Sequence, residues 1–192
     1  MILDLRKTYL RWRHSKGFGV HSPYAYRFVM DVLRPGPYRF YSYHEVESLL
    51  KPGERHDYRF ERLLRFTIRL CNFLKTKRIL CVPDSRVGAI VADAMRLERL
   101  SVNQSAEIEF KDGDLLIIEK SELSENIVKS AIKNKVPVFA LNPGNEIREL
   151  LETPIERGLL LKGKKRIILI PRQEMAFIAY DIFLDLRSGL GE

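Results

Sequence analysis

The chain has 192 residues, of which 45% are hydrophobic and 30% are charged, and its formal net charge is +8. This composition is typical of a folded globular domain with a sizeable buried core, and it excludes a disordered or fibrous chain. No apolar run reaches the roughly 18 residues that a membrane span needs, and Asp4, Arg6 and Lys7 interrupt any signal-peptide core. Only Cys71 and Cys81 are present, both in apolar surroundings, which argues against a disulfide framework and against a metal site. We therefore expect a reduced, cytoplasmic protein.

Positive charge and aromatic side chains are concentrated in the first part of the chain. Residues 1–78 carry 17 Lys and Arg against 7 Asp and Glu, whereas residues 79–192 carry 16 against 18. Seven of the eight tyrosines lie in the same basic part: Tyr9, Tyr24, Tyr26, Tyr38, Tyr41, Tyr43 and Tyr58. This shift predicts a basic helical N-terminal extension at residues 1–77, followed by an α/β domain at residues 78–192.

The N-terminal extension is predicted to form four amphipathic helices. Ser22 is suited to cap the second helix, and Pro23 at its first position loses no hydrogen bond there. Ser42 and Glu45 form a capping-box pattern at the start of the third helix. The apolar positions that define the four helical faces are Leu5, Tyr9 and Trp12; Ala25, Phe28, Val29, Val32 and Leu33; Val46, Leu49 and Leu50; and Phe60, Leu63, Leu64, Thr67, Cys71 and Leu74.

After residue 77 the pattern changes to short apolar segments that alternate with amphipathic helices. The predicted strands are RILCV (78–82), AEIEF (106–110), DLLIIE (114–119), VPVFAL (136–141), RIILIP (166–171) and MAFIAYDIF (175–183). We expect the first, third and fourth of these to be neighbouring parallel strands in the centre of the sheet, and the last two to form an antiparallel pair about RQE. The expected fold class is α/β: a three-layer, Rossmann-like, mostly parallel sheet with a C-terminal antiparallel hairpin.

Two stretches resemble signatures of one protein family. FGVHSPYAYRFV (18–29) resembles the HG-hydrophobic-HSPF-x-Y signature near the N-terminus of a bacterial family of class I S-adenosylmethionine-dependent methyltransferases. ILIPRQEMAFIAY (168–180) resembles the final β-hairpin of that family. Between them, RILCVPDSRVGAIVADAM (78–95) stands where the family has its glycine-rich motif I, and DLLIIEKSE (114–122) stands where it has the fourth strand with a terminal acidic residue. The resemblance implies a class I methyltransferase-type sheet with S-adenosylmethionine as the cofactor. The cofactor-binding residues that it implies are Pro83, Asp84, Ser85, Gly88 and Glu119.

The departures from the family fall on its chemistry. The family has an acidic residue in the first strand and, two positions later, a glycine that lets the backbone approach the cofactor, but this chain has Cys81 and Pro83. The family's second strand ends in a carboxylate that binds the ribose hydroxyls. Residues 96–113 are too few here for a strand, a helix and the start of another strand. Glu107 and Glu109 are the candidates for that carboxylate.

The turn after the first strand has two interpretations. It is either a remodelled cofactor loop, in which Ser85 and the helix N-terminus donate hydrogen bonds, or an ordinary connection in which Asp84 or Ser85 caps the helix. We favour the second. Glu119 ends a strand on the side where open α/β sheets bind ligands. Its alternative role is to stabilise the N-terminus of a helix that follows Glu122.

The basic N-terminal part also has two interpretations. Its Lys and Arg side chains would neutralise phosphates while the tyrosines and Trp12 offer stacking faces to nucleic acid. Alternatively, the charges only solubilise the surface and the aromatic residues pack the helices together. We favour the second, because the charges are spread over several helices and Trp12, Tyr24 and Phe28 fall at helical spacings.

These observations lead to one preferred function and two alternatives. We expect a divergent, shortened methyltransferase-like protein with a degenerate cofactor site, no catalytic residue and no metal. Such a protein would act as a non-catalytic binding or interaction module for a nucleic acid or protein partner, since a fold alone does not carry a function. The alternatives are an active S-adenosylmethionine-dependent methyltransferase with a remodelled motif I, and an RNA-binding protein that uses the basic N-terminal part.

Overall fold

Helices fill the first part of the chain, and strands that alternate with helices fill the rest. The computed structural model describes residues 5–17, 19–34, 42–50, 57–82, 85–102, 108–119, 125–182 and 184. The helices are α1 (Leu5–Ser15), α2 (Pro23–Phe28), α3 (Ser42–Leu49), α4 (Tyr58–Leu74), α5 (Arg86–Met95), α6 (Glu125–Lys133) and α7 (Asn145–Glu152), and a π-helical segment, Val29–Leu33, continues α2. The strands are β1 (Arg78–Val82), β2 (Glu98–Ser101), β3 (Asp114–Glu119), β4 (Val138–Leu141), β5 (Gly158–Lys162), β6 (Arg166–Pro171) and β7 (Ile178–Asp181).

The predicted four helices form before β1. Ser22 caps α2, since its Oγ accepts a hydrogen bond from the N–H of Ala25 at 3.3 Å, and Pro23 is the first helical residue. Asp57 caps α4 by accepting from the N–H groups of Arg59 and Phe60. Within the described part of the chain, no helix is both long and apolar enough to cross a bilayer.

The strands form one sheet in the order β2-β1-β3-β4-β6-β5-β7. As predicted, β1, β3 and β4 are neighbouring parallel strands in its centre. β6 runs antiparallel to both β4 and β5, whereas β2 is parallel to β1 and β7 is parallel to β5. The expected α/β class with a mostly parallel sheet and one antiparallel hairpin is confirmed at this level.

The antiparallel hairpin is built from other strands than predicted. β6 pairs with β5, and the exposed Lys164 and Lys165 lie at the turn between them. The segment 175–183 is not the antiparallel partner of β6, because its residues Ile178–Asp181 form β7, which lies parallel to β5 at the sheet edge. The reason is that β4 and β5 occupy both edges of β6, so the following chain pairs with the free edge of β5.

The prediction of a strand at 106–110 is also wrong for the residues of that segment that the structure describes. Residues 108–110 are irregular, and residues 106 and 107 lie outside the described residues. The strand on this side of the sheet is instead β2, directly after α5. All four residues of β2 are exposed, so it lacks the apolar alternation from which strands are recognised in a sequence.

Helices cover both faces of the sheet. Successive residues of a strand point to opposite faces, so each central strand contributes side chains to two hydrophobic clusters. Ile79, Ile117 and Phe139 belong to one hydrophobic cluster, together with side chains of α2, α3, α4 and α5. Leu116 and Val138 belong to the second cluster, with α6 and α7. The first cluster joins residues from before and after position 78, so the N-terminal helices and the sheet share one core.

Two buried charges hold the amino ends of β1 and β3 together. The Arg78 guanidinium donates to both carboxylate oxygens of Asp114 at 2.8 and 2.7 Å, and Asp114 also accepts from the N–H of Lys111 at 2.7 Å. Arg78 is 6% exposed and Asp114 is 4% exposed. The hydrogen bonds to Asp114 raise the pKa of Arg78 above its ordinary value, so Arg78 remains a cation in the folded protein. Arg78 and Asp114 are also register partners in the pairing of β1 with β3.

Candidate cofactor site at the carboxyl edge of the sheet

The sheet order reverses at β1 and β3. From β1 the chain passes through α5 to β2 on one side, and it then returns to β3 on the other side of β1. In open parallel sheets, ligands bind beyond the carboxyl ends of the strands at such a switch point. β1 ends at Val82 and β3 ends at Glu119, so the predicted site residues Ser85, Gly88 and Glu119 lie beside this point.

Ser85 and Glu119 are in direct contact at the N-terminus of α5. The Ser85 hydroxyl donates a hydrogen bond to Glu119 Oε1 at 2.6 Å, and the N–H of Val87 donates to the same oxygen at 3.0 Å. Ser85 Oγ in turn accepts from the N–H of Gly88 at 2.9 Å. Ser85 is therefore the N-cap of α5, as in the favoured interpretation of the turn, and Glu119 adds a second cap from the neighbouring strand.

This arrangement supplies acceptors to the amides of the first turn of α5. These amides are without partners inside a helix and form an anion-binding site when they point to solvent. Here the amides of Val87 and Gly88 donate to Glu119 and to Ser85, both of the same chain. The Glu119 carboxylate also complements the positive end of the helix dipole. Glu119 thus stabilises the N-terminus of α5, whereas its alternative role concerned the helix that follows Glu122.

Gly88 serves the contact between α5 and β1. A Cβ atom at position 88 would lie 2.4 Å from Cys81 Sγ and 3.2 Å from Ser85 Oγ. Cys81 is only 1% exposed, so its thiol fills the space beneath the helix. The glycine therefore permits close packing of a helix on a strand, which is the role of the third glycine in dinucleotide-binding fingerprints.

The remaining predicted residues divide into two groups. Pro83, Asp84 and Glu107 lie outside the described residues. Glu109 lies at the opposite, amino edge of the sheet, because its carbonyl oxygen accepts a hydrogen bond from Arg78 Nη2 at 2.7 Å. The suggestion that Glu109 supplies a ribose-binding carboxylate at the switch point is therefore wrong.

A cavity of about 520 Å³ also lies at the amino edge, and its lining includes Lys133, Lys135, Arg157 and Arg172. Arg157 donates to the carbonyl oxygen of Gln173 at 2.7 Å. Arg172 donates to Glu174 at 2.7 Å and lies 4.2 Å above the ring of Tyr24. Ser85, Gly88 and Glu119 do not line this cavity, so it is separate from the predicted cofactor site.

Among the described residues, no group of three or more His, Cys, Asp and Glu side chains is placed to hold a metal ion. Among the described residues at the switch point, the Ser85 hydroxyl, the Glu119 carboxylate and the amides of Val87 and Gly88 are bonded to one another. The amides of Val87 and Gly88 are therefore available to an anionic group only when these internal hydrogen bonds open.

No protein-family model, curated protein or solved structure matches this chain. The resemblance to the class I methyltransferases therefore rests on the stretches 18–29 and 168–180 and on the places of 78–95 and 114–122. In the second stretch, β6 and β7 are separated by β5 and do not form the hairpin that the resemblance implies.

The separate members of the site were predictable from the sequence, but the contact between them was not. Ser85 was a cap candidate and Glu119 a strand-end candidate, and the two stand 34 positions apart. The signal that joins them is the pairing of β1 with β3, since the residues that follow two adjacent parallel strands meet at the same edge.

Proposed function

We propose that this chain is a divergent class I methyltransferase-like protein with a degenerate cofactor site, and that it acts as a non-catalytic binding module. The observation that carries the proposal is the position of Glu119, whose carboxylate accepts from Ser85 at 2.6 Å and from the N–H of Val87 at 3.0 Å. These are donors that a cofactor at the switch point would use.

Electrostatics oppose an anionic ligand group at this place. The amino-acid part of S-adenosylmethionine carries a carboxylate, which favours a helix N-terminus with available N–H groups. A second carboxylate beside Glu119 would place two negative charges together, which disfavours both being ionised. Displacing Glu119 would leave that partly buried group without its hydrogen bonds, at a cost of about 1–3 kcal/mol or more. That cost alone weakens binding by about one to two orders of magnitude.

The floor of the site supports the same proposal. The family has an acidic residue where this chain has Cys81, and the Cys81 thiol is buried beneath Gly88. A buried thiol is a weak hydrogen-bonding group compared with a carboxylate. Cys81 and Gly88 therefore favour a packed contact between β1 and α5 over the binding of a polar ligand.

Calorimetric titration of the purified chain with S-adenosylmethionine and S-adenosylhomocysteine tests the proposal. We expect no saturable heat through the high-micromolar range. A dissociation constant in the low micromolar range would overturn the proposal and favour the active methyltransferase with a remodelled motif I.

A further inference from the structure

We propose that α1 carries a binding surface for single-stranded nucleic acid, which we call the α1 platform and define by Arg6, Tyr9, Trp12, Arg13 and Lys16. Nucleic-acid binding at this surface goes beyond the proposed function, because it would hold whether or not the chain binds S-adenosylmethionine.

The α1 platform exposes two neighbouring aromatic rings. Tyr9 is 56% exposed and Trp12 is 41% exposed. Their ring centroids are 6.1 Å apart and the ring planes are inclined by only 24°, so the two rings stack on each other and form one exposed aromatic pair. Large aromatic faces left in water are the groups on which unpaired bases stack in proteins that bind single strands.

The exposure of Trp12 contradicts the interpretation in which Trp12, Tyr24 and Phe28 all pack the helices together. Phe28 is fully buried, and Tyr24 packs against Phe73 with ring centroids 5.1 Å apart, as that interpretation requires. Trp12 does not pack in the core although it has the same helical spacing. The periodicity of α1 gives no sign of this difference, because the pattern shows that residues share a face but not whether that face is covered.

The charges of the α1 platform favour a polyanion as its occupant. α1 has the sequence LRKTYLRWRHS, which contains no acidic residue. Arg6, Tyr9 and Arg13 are spaced by three and four positions and so lie along one side of the helix, with Trp12 and Lys16 beside them. The Arg13 guanidinium lies 5.8 Å from the centroid of the Tyr9 ring. Cations that flank stacking faces are suited to phosphates that flank stacked bases.

The opposite side of α1 is anchored, so the platform has a defined place on the protein. His14 Nδ1 donates to the carbonyl oxygen of Asp181 in β7 at 2.8 Å, and the His14 ring meets the Tyr180 ring edge-on at 5.2 Å. Arg11 forms an ion pair with Asp181 at 3.7 Å. These contacts tie α1 to the edge strand of the sheet.

A further exposed ring extends the surface at the C-terminal end of α1. Tyr26 in α2 is 46% exposed and its ring lies against Gly17, where an added Cβ atom would come within 2.9 Å of the ring. A strand of a few nucleotides that stacks on Tyr9 and Trp12 would therefore meet another aromatic face next to Lys16.

Fluorescence anisotropy with short labelled oligouridine RNA and oligothymidine DNA tests the proposal. Near physiological salt we expect saturable binding, and Trp12→Ala or Tyr9→Ala should weaken it by between about 5-fold and about 150-fold. Trp12→Phe should retain most of the affinity because it keeps a stacking face. Arg13→Gln should lower the slope of log affinity against log salt by about 0.7 if Arg13 contacts one phosphate.

Tyr58→Ala is a matched control. Tyr58 is 56% exposed, as is Tyr9, and it also has an arginine, Arg62, at 4.1 Å from its ring centroid. It lies on α4, so the proposal predicts unchanged binding. Lys133→Gln on α6, which packs on the other face of the sheet, is the corresponding control for charge.

Three results would overturn the proposal: no binding of either oligonucleotide near physiological salt, an equal loss in Tyr58→Ala, or unchanged binding in both Trp12→Ala and Tyr9→Ala. A fourth contrary result is sedimentation showing that these variants change only self-association, since a second copy of the chain would then cover the surface. Circular dichroism of each variant verifies folding. Because Tyr9 and Trp12 are exposed, we expect the variants at these positions to fold.

Discussion

The hydroxyl of Ser85 donates to the carboxylate of Glu119 at 2.6 Å, which joins the residue before α5 to the last residue of β3. The same carboxylate oxygen accepts from the first turn of the helix, at the N–H of Val87. A feature that would hold a ligand in a related fold is here a contact within the protein. Its contribution to stability is therefore measurable without knowing any ligand.

Substitution of Glu119 should destabilise the fold, and the loss should be larger for Glu119→Ala than for Glu119→Gln. Glu119→Ala leaves the Ser85 hydroxyl and the Val87 amide without their acceptor, and the expected loss in the free energy of unfolding is about 1–3 kcal/mol. Glu119→Gln retains an acceptor but removes the charge at the helix N-terminus, so the loss should be about 0.3–1 kcal/mol. Urea denaturation measures both.

The exposed Glu149→Gln is the control, and it should change stability by less than about 0.5 kcal/mol. If Glu119→Ala is as stable as the unsubstituted protein, the capping contact contributes nothing and the account of the site loses its basis.

Gly88→Ala should be destabilising although alanine is the better helix former. The added Cβ would lie 2.4 Å from Cys81 Sγ. Overpacking of this kind costs about 1–3 kcal/mol, which exceeds the gain of about 1 kcal/mol in helix propensity. Thermal denaturation of Gly88→Ala, of Cys81→Ala and of the double variant Gly88→Ala/Cys81→Ala measures the effect.

The double variant is informative because removal of the thiol gives the new methyl group space. We expect Gly88→Ala to cost less in the Cys81→Ala background, with a coupling between the two sites of at least about 0.5 kcal/mol. Additive effects would show that the glycine is required for another reason, such as the approach of a ligand.

The Arg78–Asp114 pair predicts a large loss when one partner is removed. Each side chain is less than a tenth exposed, so Asp114→Asn leaves the Arg78 charge buried without its carboxylate. The expected loss is about 3–5 kcal/mol. The double variant Arg78→Met/Asp114→Leu removes both charges and should recover much of that loss. A double variant no more stable than Asp114→Asn would contradict this account.

The Cys71 thiol should be unreactive in the folded protein. Burial raises the pKa of this thiol to about 12, whereas the unfolded chain ionises near the ordinary value of 9.0. Cys71 is fully buried, so a thiol reagent should modify it at a rate limited by unfolding. Mass spectrometry after timed exposure to iodoacetamide, with and without urea, measures this.

The same pKa shift gives a direction for the pH dependence of stability. Between pH 9 and 12 the unfolded chain loses the Cys71 proton while the folded chain retains it, so the contribution is complete below pH 9 and declines above it. The decline is at most about 1.4 kcal/mol per pH unit. Subtracting the profile of Cys71→Ala isolates it from other groups that titrate in this range, and identical profiles would contradict the assignment.

The central strands could be predicted from the sequence because they are buried on both faces and read as continuous apolar runs. β2 could not, since its four exposed residues carry no apolar pattern. The pairing of β7 could not either, because local sequence marks a strand but does not say which neighbour has a free edge. The same limit applies to the site, where Ser85 and Glu119 were identified separately and only the strand order brings them together.

Heteronuclear NMR of the backbone amides tests most directly whether the N-terminus of α5 is closed to a ligand. The amide signals of Val87 and Gly88 report on the two hydrogen bonds to Glu119 and Ser85. On titration with S-adenosylhomocysteine, we expect both signals to remain in place through the high-micromolar range. A saturable shift of both signals at low micromolar ligand would contradict it, because it would show that the ligand replaces the internal acceptors.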